Sequence, residues 1–587
     1  MILSTVLLIA FFTAFCHGYT SPFEHEEGLL AALFDEPPSD MRMINKTFNS
    51  ESVWTKSLIK RTESALRAID FVDPSKSEYG IAIDAGSSHT EAILFTWSAK
   101  LGETGFVRQV ADCDQEPGID EGEGKDVDKT VAKVMSCVEK LVNKIPADHK
   151  GPFTLLMGAT AGMRVLQLKN PTATNMIFQR LYQAFRGAEF DGRVLFVTKP
   201  RIISGFEEGQ FAWIAANYLM KFIPPENSDQ FVRPPHSGSI GIMDMGGASA
   251  QIAFRTSDNP DGQVELFGQT YPIRAYSNLC FGSVEAKARY QLQLLLDRID
   301  KTKSVVEDPC LGEGDPPTIV KGSEFIANPC LNMISGIEKF IDPMVTYTFT
   351  GGLYNSSQCR AQVKQLTDLK ACRSTFKHCF ERDDRSKRRL TFLGLSSYYY
   401  TFRLLPTLRS GRDTFPNENV LLDEIDWWCN QPSDYRAQNA GASFADALCF
   451  RQHYSFYTMK NVYGFNKRMW PRVHFVRKIG DNNMGWSLGY MLWQTNMLPE
   501  KDSEKSLIKA EAYHALSNIY QQASNLVVRV NSQTSNLVDH EEELSSICDQ
   551  IIDVMDAKIL FNFQGCGTKN KRVESCCRVR LAEWRKR

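Results

Sequence analysis

Excess charge is nearly absent from this sequence. Its 587 residues include 67 lysines and arginines against 69 aspartates and glutamates, which gives a formal net charge of −2. Proteins that bind nucleic acid or acidic membranes depend on a basic excess. We therefore expect no nucleic-acid partner, and we interpret local basic stretches such as 385–389 as solvated surface.

Long apolar runs are scarce as well. The longest lies within residues 1–18 and covers about 14 residues, which is short for a membrane-spanning helix. The small residues Cys16 and Gly18 favour a signal peptide, whereas the missing basic segment before the run leaves a signal anchor open. No run long enough to span a bilayer follows. We expect a protein of the secretory pathway that is secreted, with a luminal or signal-anchored protein as the open alternatives, and with no C-terminal membrane span.

Cysteine, by contrast, is plentiful, with 15 residues. An even number remains once Cys16 leaves with a signal peptide, and this suits disulfides in an oxidising compartment. In that compartment the sequons at Asn45 and Asn355 are candidate glycosylation sites.

Two stretches, IAIDAGSSHT and GIMDMGGASAQIAF, follow one plan. In each, an apolar run predicts a buried strand, the strand ends on an acid (Asp84 or Asp244), and a glycine turn with small or hydroxyl residues follows. Carboxylates are ligands of Mg²⁺ and Ca²⁺, and successive amides in a glycine turn can surround a phosphate. The repeat predicts two lobes whose acids share one metal and whose turns grip one polyphosphate. The chain is also too long for a single core.

Strand and helix patterns alternate as far as about residue 260, which favours an α/β architecture. GPFTLLMGAT and RVLFVT are typical of strands, and NPTATNMIFQRLYQAFR and GQFAWIAANYLMKF are typical of helices. The cysteine-rich region 280–449 has weaker patterns. The acidic stretch 112–128 predicts a solvated loop.

Two further stretches bring polar groups to the ends of strands. In GATAGMR, Thr160 can approach a cleft, and we assign Arg164 to structural ion pairs. In SGFEEGQ, Glu207 and Glu208 lie at a turn that opens a helix. A carboxylate there can accept a proton from an attacking water, or it can serve only to cap the helix and complement its dipole.

Five motifs in order resemble the apyrase family of nucleoside triphosphate diphosphohydrolases: IAIDAGSSHT, GATAGMR, SGFEEGQFAWIAANYL, DMGGASAQIAF and GWSLGYML. The resemblance covers roughly residues 79–500 and is nearer to the cell-surface branch. It implies an α/β, two-lobed, actin-like (ribonuclease-H-like) ATPase fold, with a duplicated core and an active site in the cleft between the lobes. It also implies hydrolysis of the terminal phosphates of nucleoside tri- and diphosphates with Ca²⁺ or Mg²⁺.

The family's pattern assigns roles to individual residues. Glu208 matches the base that activates the attacking water, Ser249 and Gln251 match the residues that position this water, and Tyr400 matches the aromatic that stacks on the nucleobase. The residues that match the metal site, mostly through water, are Asp84, Asp244, Thr160 and Trp486. The residues that match the phosphate grip are Ser87, Ser88, His89, Gly246, Gly247 and Ala248. This phosphoryl transfer requires no serine nucleophile.

The resemblance also divides the chain. The expected parts are a signal peptide or anchor (1–18), an N-terminal segment (19–78), lobe I (79–203, completed by 477–500), a disulfide-rich lobe II (204–476) and a helical, cysteine-containing extension (501–587).

The cysteine spacing of the surface branch implies five disulfides. They are Cys113–Cys137, Cys280–Cys330, Cys310–Cys359, Cys372–Cys379 and Cys429–Cys449. The connectivity among Cys280, Cys310, Cys330 and Cys359 stays open, because sequence alone does not fix it. The remaining cysteines, expected to pair among themselves, are Cys548, Cys566, Cys576 and Cys577.

Three functions stay open from sequence. The leading one is hydrolysis of nucleoside tri- or diphosphates by a water that Glu208 activates. An exopolyphosphatase-like phosphohydrolase or a sugar kinase shares the two-lobed fold, and a catalytically weak nucleotide-binding effector is the third. The presence of Glu208, Ser249 and Gln251 together favours catalysis. No motif fixes the nucleotide preference or the oligomeric state.

Overall fold

The structure is a computed structural model. Two six-stranded sheets form the framework of the protein. The structure describes residues 77–98, 107–119, 126–149, 153–188, 195–197, 199–223, 239–267, 269–298, 300, 302–381, 390–440 and 447–496. The signal segment, the C-terminal extension with its four cysteines, and Asn45 lie outside these ranges.

The strands are β1 (Ser77–Ala85), β2 (Thr90–Ser98), β3 (Arg108–Gln115), β4 (Phe153–Ala159), β5 (Leu195–Val197), β6 (Arg201–Ile202), β7 (Gly241–Met245), β8 (Ser249–Arg255), β9 (Gly262–Leu266), β10 (Gln269–Leu279), β11 (Val305–Glu307), β12 (Thr318–Lys321), β13 (Thr346–Thr350), β14 (Phe392–Gly394), β15 (Val473–Phe475), β16 (Lys478–Ile479) and β17 (Asn482–Asn483).

The α-helices are α1 (Val127–Val142), α2 (Ala161–Lys169), α3 (Pro171–Gly187), α4 (Gly205–Leu219), α5 (Ser283–Asp297), α6 (Gly322–Ala327), α7 (Ser356–Leu366), α8 (Leu369–Thr375), α9 (Ser397–Phe402), α10 (Pro406–Arg409), α11 (Glu418–Cys429), α12 (Ser433–Ala440), α13 (Leu448–Tyr457) and α14 (Ser487–Asn496).

The two large sheets repeat one topology. The first has the order β3-β2-β1-β4-β5, with β6 also paired to β4, and the second has the order β9-β10-β8-β7-β14-β15. In each sheet the strand that carries the acid pairs antiparallel with the next strand in sequence and parallel with a later one: β1 with β2 and β4, β7 with β8 and β14. The duplicated α/β core predicted from the repeat is therefore confirmed.

Helix α4 is buried on nearly every side, from Glu208 to Leu219. Its apolar residues share one core with side chains of both sheets, such as Leu156 of β4 and Ile242 of β7. A helix that is apolar all round belongs inside a protein. Helix α4 is thus a central support for both sheets, and its first turn carries the glutamates singled out above.

Helix α14 packs against α4 at very short range. A Cβ placed on Gly489 would lie 1.8 Å from the carbonyl oxygen of Phe211. The next residue, Tyr490, stacks on the Phe211 ring at a centroid distance of 5.0 Å. Gly489, the second glycine of the GWSLGYML motif, is therefore required because the backbones of the two helices lie too close together to leave room for a side chain.

The cysteine-rich region is more regular than its sequence pattern predicted. It contains α5 to α12 and a small sheet of order β11-β13-β12. The five predicted disulfides are all present, so the connectivity that stayed open is confirmed as Cys280–Cys330 and Cys310–Cys359. These covalent links stabilise the fold chiefly by restricting the unfolded chain.

The stretch 112–128 is not a loop throughout. Strand β3 continues to Gln115, and its side chains alternate between exposed and half-buried, as expected for a strand with one face toward solvent. Cys113 faces inward and reaches Cys137 of α1, while Asp112 and Asp114 point outward. Because β3 is an edge strand with charged residues on its exposed side, the sequence predicted a solvated loop and the alternation of a strand was not recognised.

Within the described ranges, no helix combines the length and the apolar character that crossing a bilayer requires.

Candidate active site

The two glycine turns are closed by the same hydrogen bond. Gly86 donates its backbone N–H to the carbonyl of His89 at 3.0 Å, and Gly246 donates to the carbonyl of Ser249, also at 3.0 Å. A Cβ on Gly86 would lie 2.8 Å from the His89 oxygen. The repeat seen in the sequence is therefore a repeated backbone conformation.

The two turns lie against each other. A Cβ on Gly247 would come within 2.6 Å of the Ser87 hydroxyl oxygen. Ser87 is half-buried, Ala248 is buried, and Ser88 and His89 are exposed. The predicted phosphate-gripping residues thus come from two turns in contact, with the first turn supplying the exposed side chains.

Asp84 and Asp244 end the strands that lead into these turns. Each has one buried carboxylate oxygen, Oδ1, with no hydrogen-bond partner among the described residues. Burial raises the pKa of both groups, and the carboxylates of Glu208 and Glu91 raise the pKa of Asp84 further. A buried carboxylate oxygen without a hydrogen-bond partner is costly. This donor set fits a hard divalent cation bound directly or through water.

Thr160 and Trp486 lie beside the first of these acids. Thr160 donates its N–H to the carbonyl of Ala85 at 3.1 Å, which ties the GATAGMR motif to the first turn. The Trp486 ring is buried, and its indole opposes the rise in the pKa of Asp84. A Cβ on Gly158 would lie 2.5 Å from this ring. The four residues predicted for the metal site are thus grouped around the two turns.

Glu207 is committed to a structural role. Ser204 caps α4 by accepting from the Glu207 N–H at 3.2 Å, and the Glu207 carboxylate accepts from the Ser204 N–H at 2.8 Å, a capping box. Arg201 donates to both carboxylate oxygens, at 3.0 and 2.8 Å. Burial raises the pKa of Glu207, but the charge and hydrogen bonds of Arg201 together with the hydrogen bonds of Ser204 outweigh burial and keep this pKa below its usual value.

Glu208, the next residue, points to a different set of partners. Gln251 donates from Nε2 to Glu208 Oε2 at 2.9 Å and also contacts the hydroxyl oxygens of Ser249, at 2.5 Å, and Ser277, at 2.9 Å. Arg164 donates from Nη2 to the same Oε2. Glu208 and the two residues predicted to position a water are therefore joined in one hydrogen-bonded group.

The charge state of Glu208 suits proton transfer. Burial is the main cause that raises its pKa to about 7; Arg164 opposes the rise and Asp244 adds to it. A base works best when its pKa lies near the operating pH. Of the two adjacent glutamates, only Glu208 has this property.

Sequence reasoning missed two residues of this group and left the partner of a third open. It assigned Arg164 to structural ion pairs, and the structure shows an ion pair whose partner is Glu208. Ser277 of β10 gave no signal, because only strand register brings it opposite Gln251. A Cβ on Gly205 would lie 2.3 Å from Ser277 Cβ and 2.9 Å from Arg164 Nη1, so that glycine allows the approach.

Tyr400 lies on α9, which follows β14 of the second sheet. Its ring is 37% exposed, with Tyr399 edge-on at 5.4 Å and the Arg403 guanidinium 5.5 Å from the centroid. The adjoining Ser397 hydroxyl lies 3.3 Å from that of Ser283, at the start of α5. Tyr400 is therefore a partly exposed aromatic side chain on the helix that follows β14, a strand of the sheet that carries the second turn.

A family model of known proteins matches most of the chain. The model describes the GDA1/CD39 (nucleoside phosphatase) family and matches residues 71–510. The chain belongs to this family. It is 30% identical over 445 residues to ectonucleoside triphosphate diphosphohydrolase 3 of Homo sapiens, covering 74% of this chain and 81% of that one. It is 31% identical over 442 residues to ectonucleoside triphosphate diphosphohydrolase 2 of Mus musculus, covering 73% and 85%.

A solved structure shares the fold of this family member. A nucleoside triphosphate hydrolase from Neospora caninum superposes with a TM-score of 0.51 at 14% identity, over 76% of this chain and 97% of that one. The predicted two-lobed, actin-like fold is confirmed.

Proposed function

We propose that this member of the family hydrolyses the terminal phosphates of nucleoside tri- and diphosphates with a divalent metal, through a water that Glu208 activates. The observation that carries the proposal is the hydrogen-bonded group of Glu208, Gln251 and Ser249 beside two facing glycine turns. The names of the family and of its relatives support the same class of substrate.

The described residues suit an in-line displacement. Gln251 and Ser249 orient a water, and Glu208 accepts its proton as the water oxygen bonds to the terminal phosphorus. The phosphoanhydride bond breaks, and the shortened nucleotide leaves with the bridging oxygen. Such transfer depends on positioning and charge stabilisation more than on covalent chemistry.

We assign the metal to Asp84 and Asp244, with Thr160 and Trp486 in the same shell. A bound Ca²⁺ or Mg²⁺ neutralises phosphate charge next to these acids. The backbone amides of the two turns and the Ser87 hydroxyl bind the phosphates, and Tyr400 offers its face to the nucleobase.

We also propose that the enzyme is secreted and that its lobes follow the sequence divisions, 79–203 with 477–500 and 204–476. Five disulfides favour an oxidising compartment. Asn355 is exposed, and its side-chain oxygen caps α7 by accepting from Gln358 N–H at 3.0 Å. This cap leaves Nδ2, the atom that N-glycosylation modifies, pointing away from the helix amide.

The test is release of phosphate by the secreted full chain from ATP, ADP, AMP and inorganic polyphosphate, with Ca²⁺, Mg²⁺ or a chelator. We expect release from ATP or ADP that depends on the metal, and none from AMP. Release from polyphosphate alone would favour the exopolyphosphatase alternative. Nucleotide binding without phosphate release would favour the effector.

A further inference from the structure

Arg164 connects the two halves of the core at the carboxylate that we propose as base. It lies in the first turn of α2, directly after β4 of the first sheet, and its backbone N–H donates to the Thr160 carbonyl at 3.2 Å. Its guanidinium reaches Glu208 on α4, and the same Nη2 lies 3.5 Å from the Ser249 hydroxyl oxygen on β8 of the second sheet. The contact therefore joins residues from two lobes.

The contact also fixes one orientation of the carboxylate. Arg164 and Gln251 both donate to Oε2 of Glu208. Among the described residues, no hydrogen bond to Oε1 accompanies them. The carboxylate is thus held by one oxygen, and the other oxygen is left to accept a proton.

The surroundings make Arg164 the dominant favourable charge at this carboxylate. The charged groups that act on Glu208 are Arg164 from α2, Asp244 from β7 and Asp84 from β1. The other polar groups in contact, Gln251 and the Ser249 hydroxyl, are neutral. The Arg164 side chain is 14% exposed, so solvent screens its charge only in part.

We propose that Arg164 is a positioning residue for catalysis: it holds Oε2 of Glu208 across the two lobes and so directs Oε1 toward the attacking water. The inference rests on the proposed function. It predicts that loss of the guanidinium lowers kcat far more than it changes KM, because the described contacts of Arg164 are with Glu208 and Ser249 and it would act through the base rather than on the nucleotide.

The experiment compares Arg164→Ala and Arg164→Lys with the wild-type chain, measuring kcat and KM for ATP as a function of pH. We expect Arg164→Ala to lower kcat by about 10- to 100-fold, since a misdirected catalytic group costs this much. The acidic limb of its kcat profile should move upward by about one pH unit, because a nearby cation favours the charged carboxylate. Added guanidinium ion should restore part of kcat, and Arg164→Lys should lie between the two.

Arg274→Met is the matched control. Arg274 pairs with Asp261, and its side chain is 17% exposed, close to that of Arg164. We expect its pH profile to match the wild type. Thermal unfolding of every variant separates a folding defect from a catalytic one.

Several outcomes would overturn the inference. A folded Arg164→Ala variant with an unmoved acidic limb and no guanidinium rescue contradicts it, as does a loss confined to KM. If Arg164→Ala does not fold, Arg164→Lys takes its place in the test. A Lys variant whose kcat has the same pH profile as the wild type would show that the guanidinium geometry is not required. Absence of phosphate release from the wild type would instead refute the proposed function.

Discussion

The first and second glycine turns share a backbone conformation but differ in how they are held. Behind the second turn, the N-terminus of α5 donates to it: Ser283 N–H to the Gly246 carbonyl and Val284 N–H to the Gly247 carbonyl, both at 2.9 Å. At the first turn the corresponding bond comes from Thr160, the N-cap of α2, and reaches only the carbonyl of Ala85 before the turn; the turn itself exposes Ser88 and His89. The second turn is thus held by backbone hydrogen bonds from α5, whereas the first turn exposes its side chains to solvent.

Each turn nevertheless packs against a glycine that belongs to none of the five sequence motifs. A Cβ on Gly118 would lie 2.5 Å from the carbonyl oxygen of Ser87, and a Cβ on Gly282 would lie 2.4 Å from the carbonyl carbon of Gly247. Each glycine follows the strand beside its turn, β3 or β10. The repeat therefore extends beyond the residues that carry chemistry.

The largest effect should come from Glu208, the proposed base. Its partners Gln251 and Ser249, which we propose to orient the attacking water, lie on β8 after the second turn. We expect Glu208→Gln to lower kcat by about 10²- to 10⁴-fold, the usual contribution of a positioned base. Glu207→Gln is the control, since its carboxylate serves Arg201 and the helix cap; it should lower thermal stability and leave most of kcat. Equal loss of kcat in two folded variants would contradict this assignment.

The acids give the next largest effect and should behave alike in both turns. We expect Asp84→Asn and Asp244→Asn each to raise the metal concentration for half-maximal activity by about 10-fold or more. Direct Ca²⁺ or Mg²⁺ binding, followed by calorimetry, should weaken in parallel. If only one variant changes, the two turns do not share the metal.

The same acids predict a pH dependence of stability in the metal-free protein. Their pKa values are raised in the folded state, so the folded state binds more protons than the unfolded state. Stability should therefore fall as pH rises above the ordinary aspartate range. Thermal unfolding with a chelator should show this decline, and saturating metal should reduce it. A chelated protein that becomes more stable toward neutral pH would contradict the sign.

The supporting glycines test the difference between the turns directly. Gly282→Ala should be more harmful than Gly118→Ala, because α5 and the second turn are joined by backbone hydrogen bonds and cannot separate without breaking them. We expect about 1–3 kcal/mol of lost unfolding free energy for Gly282→Ala, as for overpacking elsewhere. Chemical denaturation measures it, and an equal or larger loss for Gly118→Ala would reverse the comparison.

The smallest effect should come from Tyr400, outside both turns. Stacking on an aromatic face is worth about 1–3 kcal/mol per base, and partial exposure favours the lower end, a KM change of about 5-fold. Tyr400→Ala should raise KM for ATP and leave inorganic triphosphate unaffected. Tyr399→Ala is the neighbouring control, and equal losses on both substrates would exclude stacking.

Local sequence was sufficient for a large part of this protein. The two strand–acid–glycine stretches predicted a duplicated α/β core, because strand patterns and turn residues act over a few neighbouring positions. The cysteine spacing implied the five disulfides through the family resemblance. Glu207 and Glu208 at a turn predicted the helix N-terminus at the start of α4. Each of these signals comes from residues close together in the chain or from a motif that the family shares.

Tertiary structure alone decided which side chains work together. Glu207 and Glu208 are neighbours in the same motif, yet Arg201 engages one, whereas Arg164 and Gln251 engage the other. These partners are fixed by sheet register and by the packing of α4 between two sheets. Such contacts join residues far apart in the chain, where no local pattern records them. Sequence determined the repeated parts, and packing determined the different uses of the two copies.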